Sequence, residues 1–232
     1  MGKDWNHLLD ISRSLTSEYG DAVFIGGVAV SRHAGRLGPK YQESSHDADF
    51  YLSFVGKAAM RDHYEMQHNQ KLNKDSVLVE GEDLDVYVDR QHSLGVPYPV
   101  AFASSEVIDG IRVAAVEHLL ILKLDAAKSR WASAKGDKDI RDLARIVALL
   151  DQPKLELLNP YLSLARLETL ERVVNHPDLP RLMELNPHEG SKFRLRLETN
   201  LKAIAGGDQE PSVPPPDEDP PLPPPSPRMR RR

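Results

Sequence analysis

Hydrophobic and polar positions alternate in two textures along this chain, and then one of them takes over. Trp5, Leu8, Leu9, Ser12 and Leu15 fall on one helical face, which predicts an opening amphipathic helix over residues 4–17. Ala22–Ile25 (AVFI) is a short apolar run closed by Gly26-Gly27, the pattern of a buried strand entering a turn, and Val28 opens a second helix. Residues 49–54 (DFYLSF), 77–80 (VLVE) and 84–88 (LDVYV) are rich in β-branched and aromatic residues and read as further strands, with a weaker one at 111–113. From Ala114 to about Ala205 helical periodicity dominates, with breaks predicted at Gly136, Pro153, Pro160, Pro177, Pro180 and Pro187.

These elements predict an α/β (α+β) fold. A small mixed sheet occupies residues 1–113, and a helical domain over 114–205 completes the active site. Residues 206–232 differ in kind, holding ten of the 18 prolines and ending in Arg228, Arg230, Arg231 and Arg232. Proline donates no backbone hydrogen bond and this segment has little apolar surface to bury, so it is expected to be a disordered tail.

Composition narrows the chemistry. The chain has no cysteine, which removes disulfides, thiolate metal sites and cysteine nucleophiles. No apolar run approaches the roughly 20 residues needed to span a bilayer, and residues 1–14 lack a signal-peptide core, so a cytoplasmic protein without a membrane partner is expected. A net charge of −5 argues against a non-specific nucleic-acid coat, while a local basic patch remains open.

Side chains of a strand alternate between its faces. In residues 47–52 (DADFYL), Asp47 and Asp49 share one face and Phe50 and Leu52 take the other; Asp85 likewise lies opposite Leu84, Val86 and Val88. If these strands are neighbours, three carboxylates converge, and such a cluster needs a compensating cation. One or two Mg²⁺ ions, or Mn²⁺, suit an all-oxygen donor set. Gly26 and Gly27, followed by a helix N-terminus, suit close approach of phosphate, with Ser31 as a further hydroxyl. His46 alternates to the face opposite Asp47 and Asp49, and His33, His63, His68 and His92 show no metal-ligand spacing.

Phe24-Ile25-Gly26-Gly27, then Ser45-His46-Asp47-Ala48-Asp49, then Asp85 resemble the polymerase-beta-like nucleotidyltransferase superfamily. The run Val113–Leu120 with Leu122–Ala126, followed by Lys138-Asp139-Ile140-Arg141-Asp142-Leu143, resembles the AbiEii/AbiGii-like nucleotidyltransferase toxins of bacterial toxin–antitoxin and phage-defence systems. The resemblance covers roughly residues 20–150. Glu43 and Ser44 stand where relatives commonly carry a basic residue. The resemblance implies a pyrophosphate-releasing transfer of a nucleoside monophosphate from an NTP such as ATP, with catalytic metal ligands at Asp47, Asp49 and Asp85. It implies an RNA acceptor, in the first place a tRNA 3′ end, and a cognate antitoxin as partner. A small-molecule hydroxyl, a protein hydroxyl and a catalytically silent nucleotide sensor are the alternatives.

The helical half carries charges at inward positions. Lys123 lies in the apolar arc of Val116, Leu119, Leu120 and Ala127, and Arg130 falls within about 20° of it on the helical wheel. This places Lys123 and Arg130 as cations for a triphosphate and its leaving pyrophosphate. Asp139 shares a face with Leu143, Ile146 and Leu150, and the resemblance makes it a catalytic residue that positions Lys123 or Arg130 or helps to activate the acceptor hydroxyl. Asp142 lies nearer the edge of that face.

Overall fold

The computed structural model describes residues 4–70, 73–131 and 133–206, so the proline-rich tail lies outside the described residues. Helix α1 (Trp5–Glu18) is capped by the Asp4 carboxylate, which accepts the Asn6 amide, and buries Leu8, Leu9, Ile11 and Leu15. Strand β1 (Val23–Phe24) leads through Gly26 into α2 (Gly27–Ala34). Two short 3₁₀ turns connect it to β2 (Asp49–Leu52), which is followed by α3 (Phe54–Arg61). The strand predicted to reach Phe54 therefore stops at Leu52. Ser53 caps α3 by accepting the Gly56 amide, and Asp21 holds the Ser53 hydroxyl in place, so helix capping wins over strand propensity at Phe54.

β3 (Met66–Asn69), β4 (Lys74–Val79) and β5 (Glu82–Val88) form a meander, followed by α4 (Tyr98–Ala103), β6 (Glu106–Ile108) and β7 (Ile111–Val113). The seven strands make one mixed sheet in the order β3-β4-β5-β2-β1-β7-β6. β2 runs parallel to β5 and antiparallel to β1, and β1 runs parallel to β7. Phe24, Phe50, Leu52, Leu84 and Val86 are fully buried in the sheet.

The remaining helices are α5 (Val116–Arg130), α6 (Ala134–Leu149), α7 (Leu155–Leu158), α8 (Leu164–Val174), α9 (Leu179–Leu182) and α10 (Pro187–Ala205). Gly136 does not break a helix; it sits in the first turn of α6. A Cβ there would meet the carbonyl oxygens of Trp131 and Arg130 at 2.6 and 2.7 Å, so glycine permits the tight corner between α5 and α6. Pro180 and Pro187 occupy the first turns of α9 and α10, where the missing amide costs nothing, and Asn186 with Glu189 forms a capping box on α10. A single hydrophobic core joins sheet and helices, running from Leu8 through Val86, Leu120 and Ile146 to Leu197. No described helix is long and apolar enough to cross a membrane.

Candidate active site

The site lies where β1, β2 and β5 meet the start of α2 and the α5–α6 corner. Asp49 is the first residue of β2 and pairs in register with Asp85 of β5, so two carboxylates stand side by side on adjacent parallel strands. Asp47 precedes β2 in a bend and is exposed. The outer two each have a partner of their own. Asp47 accepts the Ser45 hydroxyl at 3.1 Å, and Lys74 of β4 donates to Asp85. Burial, then Asp47, and further on Asp85 push the Asp49 carboxyl up to about 6, against the pull of Lys123 and Lys74. Burial would also raise Asp47, but Lys138, the Ser45 hydrogen bond and the more distant Lys135 and Lys123 bring it below its usual value.

The two glycines have a steric reason that the sequence only hinted at. A Cβ on Gly26 would lie 2.7 Å from Asp49 Cγ and 2.8 Å from its Cβ, and closer still to Oδ2. A Cβ on Gly27 would lie 2.9 Å from Ser45 Cβ, closer to its hydroxyl, and 3.3 Å from Lys138 Nζ. The carboxylate and the hydroxyl thus rest directly on the turn backbone. Gly27 begins α2, whose N-terminus has no side-chain cap. Ser31 is one turn further in; it is 2% exposed and its hydroxyl has no partner among the described residues, so it sits within the fold beneath the turn. His46 is exposed.

Lys123 and Arg130 both reach carboxylates of α6. Lys123 Nζ donates to Asp142 Oδ2 at 2.8 Å. Burial alone would lower the Lys123 pKa, but Asp142, with smaller contributions from Asp49 and Asp139, raises it. Arg130 Nε lies 3.1 Å from Asp139 Oδ2, and burial raises the Asp139 carboxyl despite Lys123 and Arg130. Asp142 is 2% exposed and also accepts Arg145 at 3.3 Å. Arg145 and Arg141 each approach Glu43 at 2.7 Å. Glu43 thus has two arginines of α6 as partners, and it ties the segment before Asp47 to that helix. Lys74 joins the site unannounced by the sequence, as do Asp142, Lys138 and Glu43 in roles that the sequence reading did not give them.

The three aspartates offer only hard oxygen donors, and Lys74 already shows that the cluster draws a cation; both fit a divalent metal. Among the described residues, the group whose ligand atoms all lie within 4.8 Å of one another is a different one, His68, Asp75 and His92. Its chemistry argues against an ion. Lys57 Nζ sits 2.6 Å from Asp75 Oδ2, and His92 Nδ1 accepts the Val88 amide at 2.8 Å, which puts the proton of neutral His92 on Nε2. His68 Nδ1 lies 2.8 Å from Asp75 Oδ1. This is a polar network tying β3 and β4 to α3 and to the end of β5.

No protein-family model matches the chain, and no curated protein matches it. Solved structures do. A candidate nucleotidyltransferase from H. pylori aligns over 88% of this chain and 95% of its own at 15% identity and a TM-score of 0.43. An antigenic nucleotidyltransferase-like protein from Paracoccidioides brasiliensis aligns over 78% and 93% at 14% identity and 0.44. The Megavirus polyadenylate synthase aligns over 60% of this chain but 30% of its own, at 15% identity and 0.43. Likenesses this distant leave the chemistry to be read from the residues themselves.

Proposed function

We propose that the protein is a metal-dependent nucleotidyltransferase that moves a nucleoside monophosphate from an NTP to an acceptor hydroxyl. The observation that carries this reading is the in-register pair Asp49 and Asp85, with Asp47 at the mouth and Gly26 directly beneath Asp49. Asp47, Asp49 and Asp85 would hold Mg²⁺, which supplies neutralisation of triphosphate charge and lowers the pKa of the acceptor hydroxyl. The chain's own groups do the rest. Gly26 and Gly27 let Asp49 and Ser45 rest directly on the turn, and the uncapped N-terminus of α2 beside them offers backbone amides to phosphate oxygens. The hydroxyl oxygen bonds to the α-phosphorus as its bond to the bridging oxygen breaks. The hydroxyl proton passes to the carboxylates and pyrophosphate leaves. Asp142 and Asp139 fix Lys123 and Arg130 beside the reacting groups.

For the acceptor we favour RNA, specifically a tRNA 3′ end, with the protein acting in the cytoplasm as a toxin paired with an antitoxin. Support comes from the Lys123 to Leu143 motif order, which resembles the AbiEii/AbiGii-like toxins. Several arginines that a basic groove would use are committed internally: Arg141 and Arg145 to Glu43, and Arg166 to Asp125 at 2.8 Å. Lys192 and Arg196 instead line an open hollow on α10 of about 350 Å³. The test is incubation with each α-³²P-NTP plus total RNA, total protein or no acceptor. Nucleotidyl transfer requires label on some acceptor, and the tRNA assignment requires a tRNA-length band that vanishes after periodate oxidation and weakens steeply with salt. Label on protein or on small molecules alone would refute the RNA assignment; no label from any NTP would refute transfer.

A further inference from the structure

Four cations border the site, and they are not equivalent. Lys74 donates to Asp85, Lys123 to Asp142, and Arg130 is ion-paired with Asp139. Each of these three already faces a carboxylate, so a further anion gains less from it. Lys138, in the first turns of α6, differs. Its Nζ donates at 3.1 Å to a neutral group, the Ser45 hydroxyl, and no carboxylate lies within 4.0 Å of it among the described residues. It is only partly exposed, so its charge is less screened than that of a surface lysine. Its ammonium sits 3.3 Å from where a Cβ of Gly27 would be, over the same turn that receives the phosphates.

We propose that Lys138, not Lys123 or Arg130, is the cation that binds the pyrophosphate portion of the triphosphate and stabilises it as it leaves. This assignment rests on the nucleotidyl-transfer reading above and deepens it. Lys138 reaches the Gly27 turn from α6, while Ser45, its hydrogen-bond partner, also holds Asp47. One residue thereby links the phosphate end of the substrate to the carboxylate end. Lys123 and Arg130, neutralised by α6 carboxylates, hold the α5–α6 corner in position.

The probe is inorganic pyrophosphate with Mg²⁺, which is common to every NTP, titrated calorimetrically into the full chain. Lys138→Gln keeps a donor for Ser45 and removes the charge; Lys138→Arg restores it; Lys202→Gln, in the last turn of α10, is an exposed control with the same change in net charge. We expect Lys138→Gln to weaken pyrophosphate binding by roughly 10- to 100-fold, the scale of one charge-assisted hydrogen bond. KM for the NTP should rise, kcat should fall less, and the melting temperature should stay within about 2 °C of wild type, as for substitutions away from the core. Lys138→Arg should recover most of the affinity and Lys202→Gln should change it less than threefold, as expected of an exposed charge. Equal loss in the Lys138→Gln and Lys202→Gln variants, or wild-type binding by Lys138→Gln, would overturn the assignment while wild-type transfer still upheld the reaction. Absence of both pyrophosphate binding and transfer in wild type would overturn both.

Discussion

Replacing Gly26 with alanine adds one methyl group at the point where the fold and the site are least separable. The new carbon would lie 2.7 Å from Asp49 Cγ and 2.8 Å from Asp49 Cβ, inside the distance that real Cβ contacts show. Asp49 cannot simply swing away, because its backbone is fixed on both sides: its carbonyl accepts the Ile25 amide at 2.9 Å and its residue pairs with Asp85. Overpacking of this kind costs about 1–3 kcal/mol. For a chain of this size each kcal/mol is worth about 2–4 °C, so a fall of about 2–12 °C in melting temperature is expected. Transfer should fall much further, by at least 100-fold, since a displaced Asp49 loses its alignment with Asp85 and a misplacement of about 1 Å at a reacting centre can cost that much. The decisive assay is a double-mutant cycle with Asp49→Gly, which takes away the three atoms nearest the methyl. In that background Gly26→Ala should cost less than half as much stability. A Gly26→Ala protein that melts with wild type and transfers at the full rate would refute the packing of Asp49 on the turn.

Three further outcomes follow from the same geometry. Asp49→Asn should reduce transfer to background yet leave the metal-free melting temperature unchanged or higher, because it removes one of three mutually repelling carboxylates; undiminished transfer would sink the metal assignment. Asp142→Ala leaves Lys123 buried without its partner and should destabilise by about 3–5 kcal/mol, read from urea melts, whereas a loss below about 1 kcal/mol would make the pair dispensable. Glu43 is held at about 2 rather than its usual 4.5: burial opposes this, and the Arg141 and Arg145 guanidiniums override it. The stability it gives is complete above pH 4.5 and disappears as pH falls toward 2, at most about 3 kcal/mol, so Glu43→Gln should melt below wild type at pH 7 and converge with it near pH 2; parallel pH profiles would remove Glu43 from the network.

How far the sequence reveals this arrangement depends on the range of each interaction. Gly26-Gly27 and the Asp47, Asp49 pair are local patterns, and strand alternation alone places Asp85 on the polar side of β5. Their meeting is a matter of topology: that β5 lies beside β2, in parallel and with Asp49 opposite Asp85, depends on the whole strand order. β6 is legible in principle, since Asp109-Gly110 is a hairpin signal and both residues have positive φ, as do Glu80-Gly81 between β4 and β5. Asp142 is harder to find. A helical wheel puts it at the edge of the α6 face, and its burial comes from Lys123, 19 residues earlier on a different helix. Glu43 carries the opposite charge to the one the family pattern leads a reader to expect, and only its two arginine partners explain it.

The charges at the site sort themselves by whether they are paired. Five aspartates, at 47, 49, 85, 139 and 142, face four cations, at 74, 123, 130 and 138. Three ion pairs form among them: Lys74 with Asp85, Lys123 with Asp142, and Arg130 with Asp139. A paired charge is compensated and directional, which suits it to fixing one strand or helix against another. What remains without an ion pair among the described residues is Asp47, Asp49 and Lys138, two negative charges and one positive, gathered within reach of Ser45 and the Gly26-Gly27 turn. An acidic pair beside a single cation matches the two ends of a metal-bound triphosphate. The metal would meet Asp47 and Asp49 together with Asp85, whose charge Lys74 compensates here, and the departing pyrophosphate would meet Lys138. On this reasoning the pairs Lys123–Asp142 and Arg130–Asp139 build the frame, and changing them should act mainly on stability. The unpaired ones should act mainly on binding and rate, so Asp142→Ala and Lys138→Gln are expected to fail in opposite ways: the first in urea melts, the second in pyrophosphate titrations.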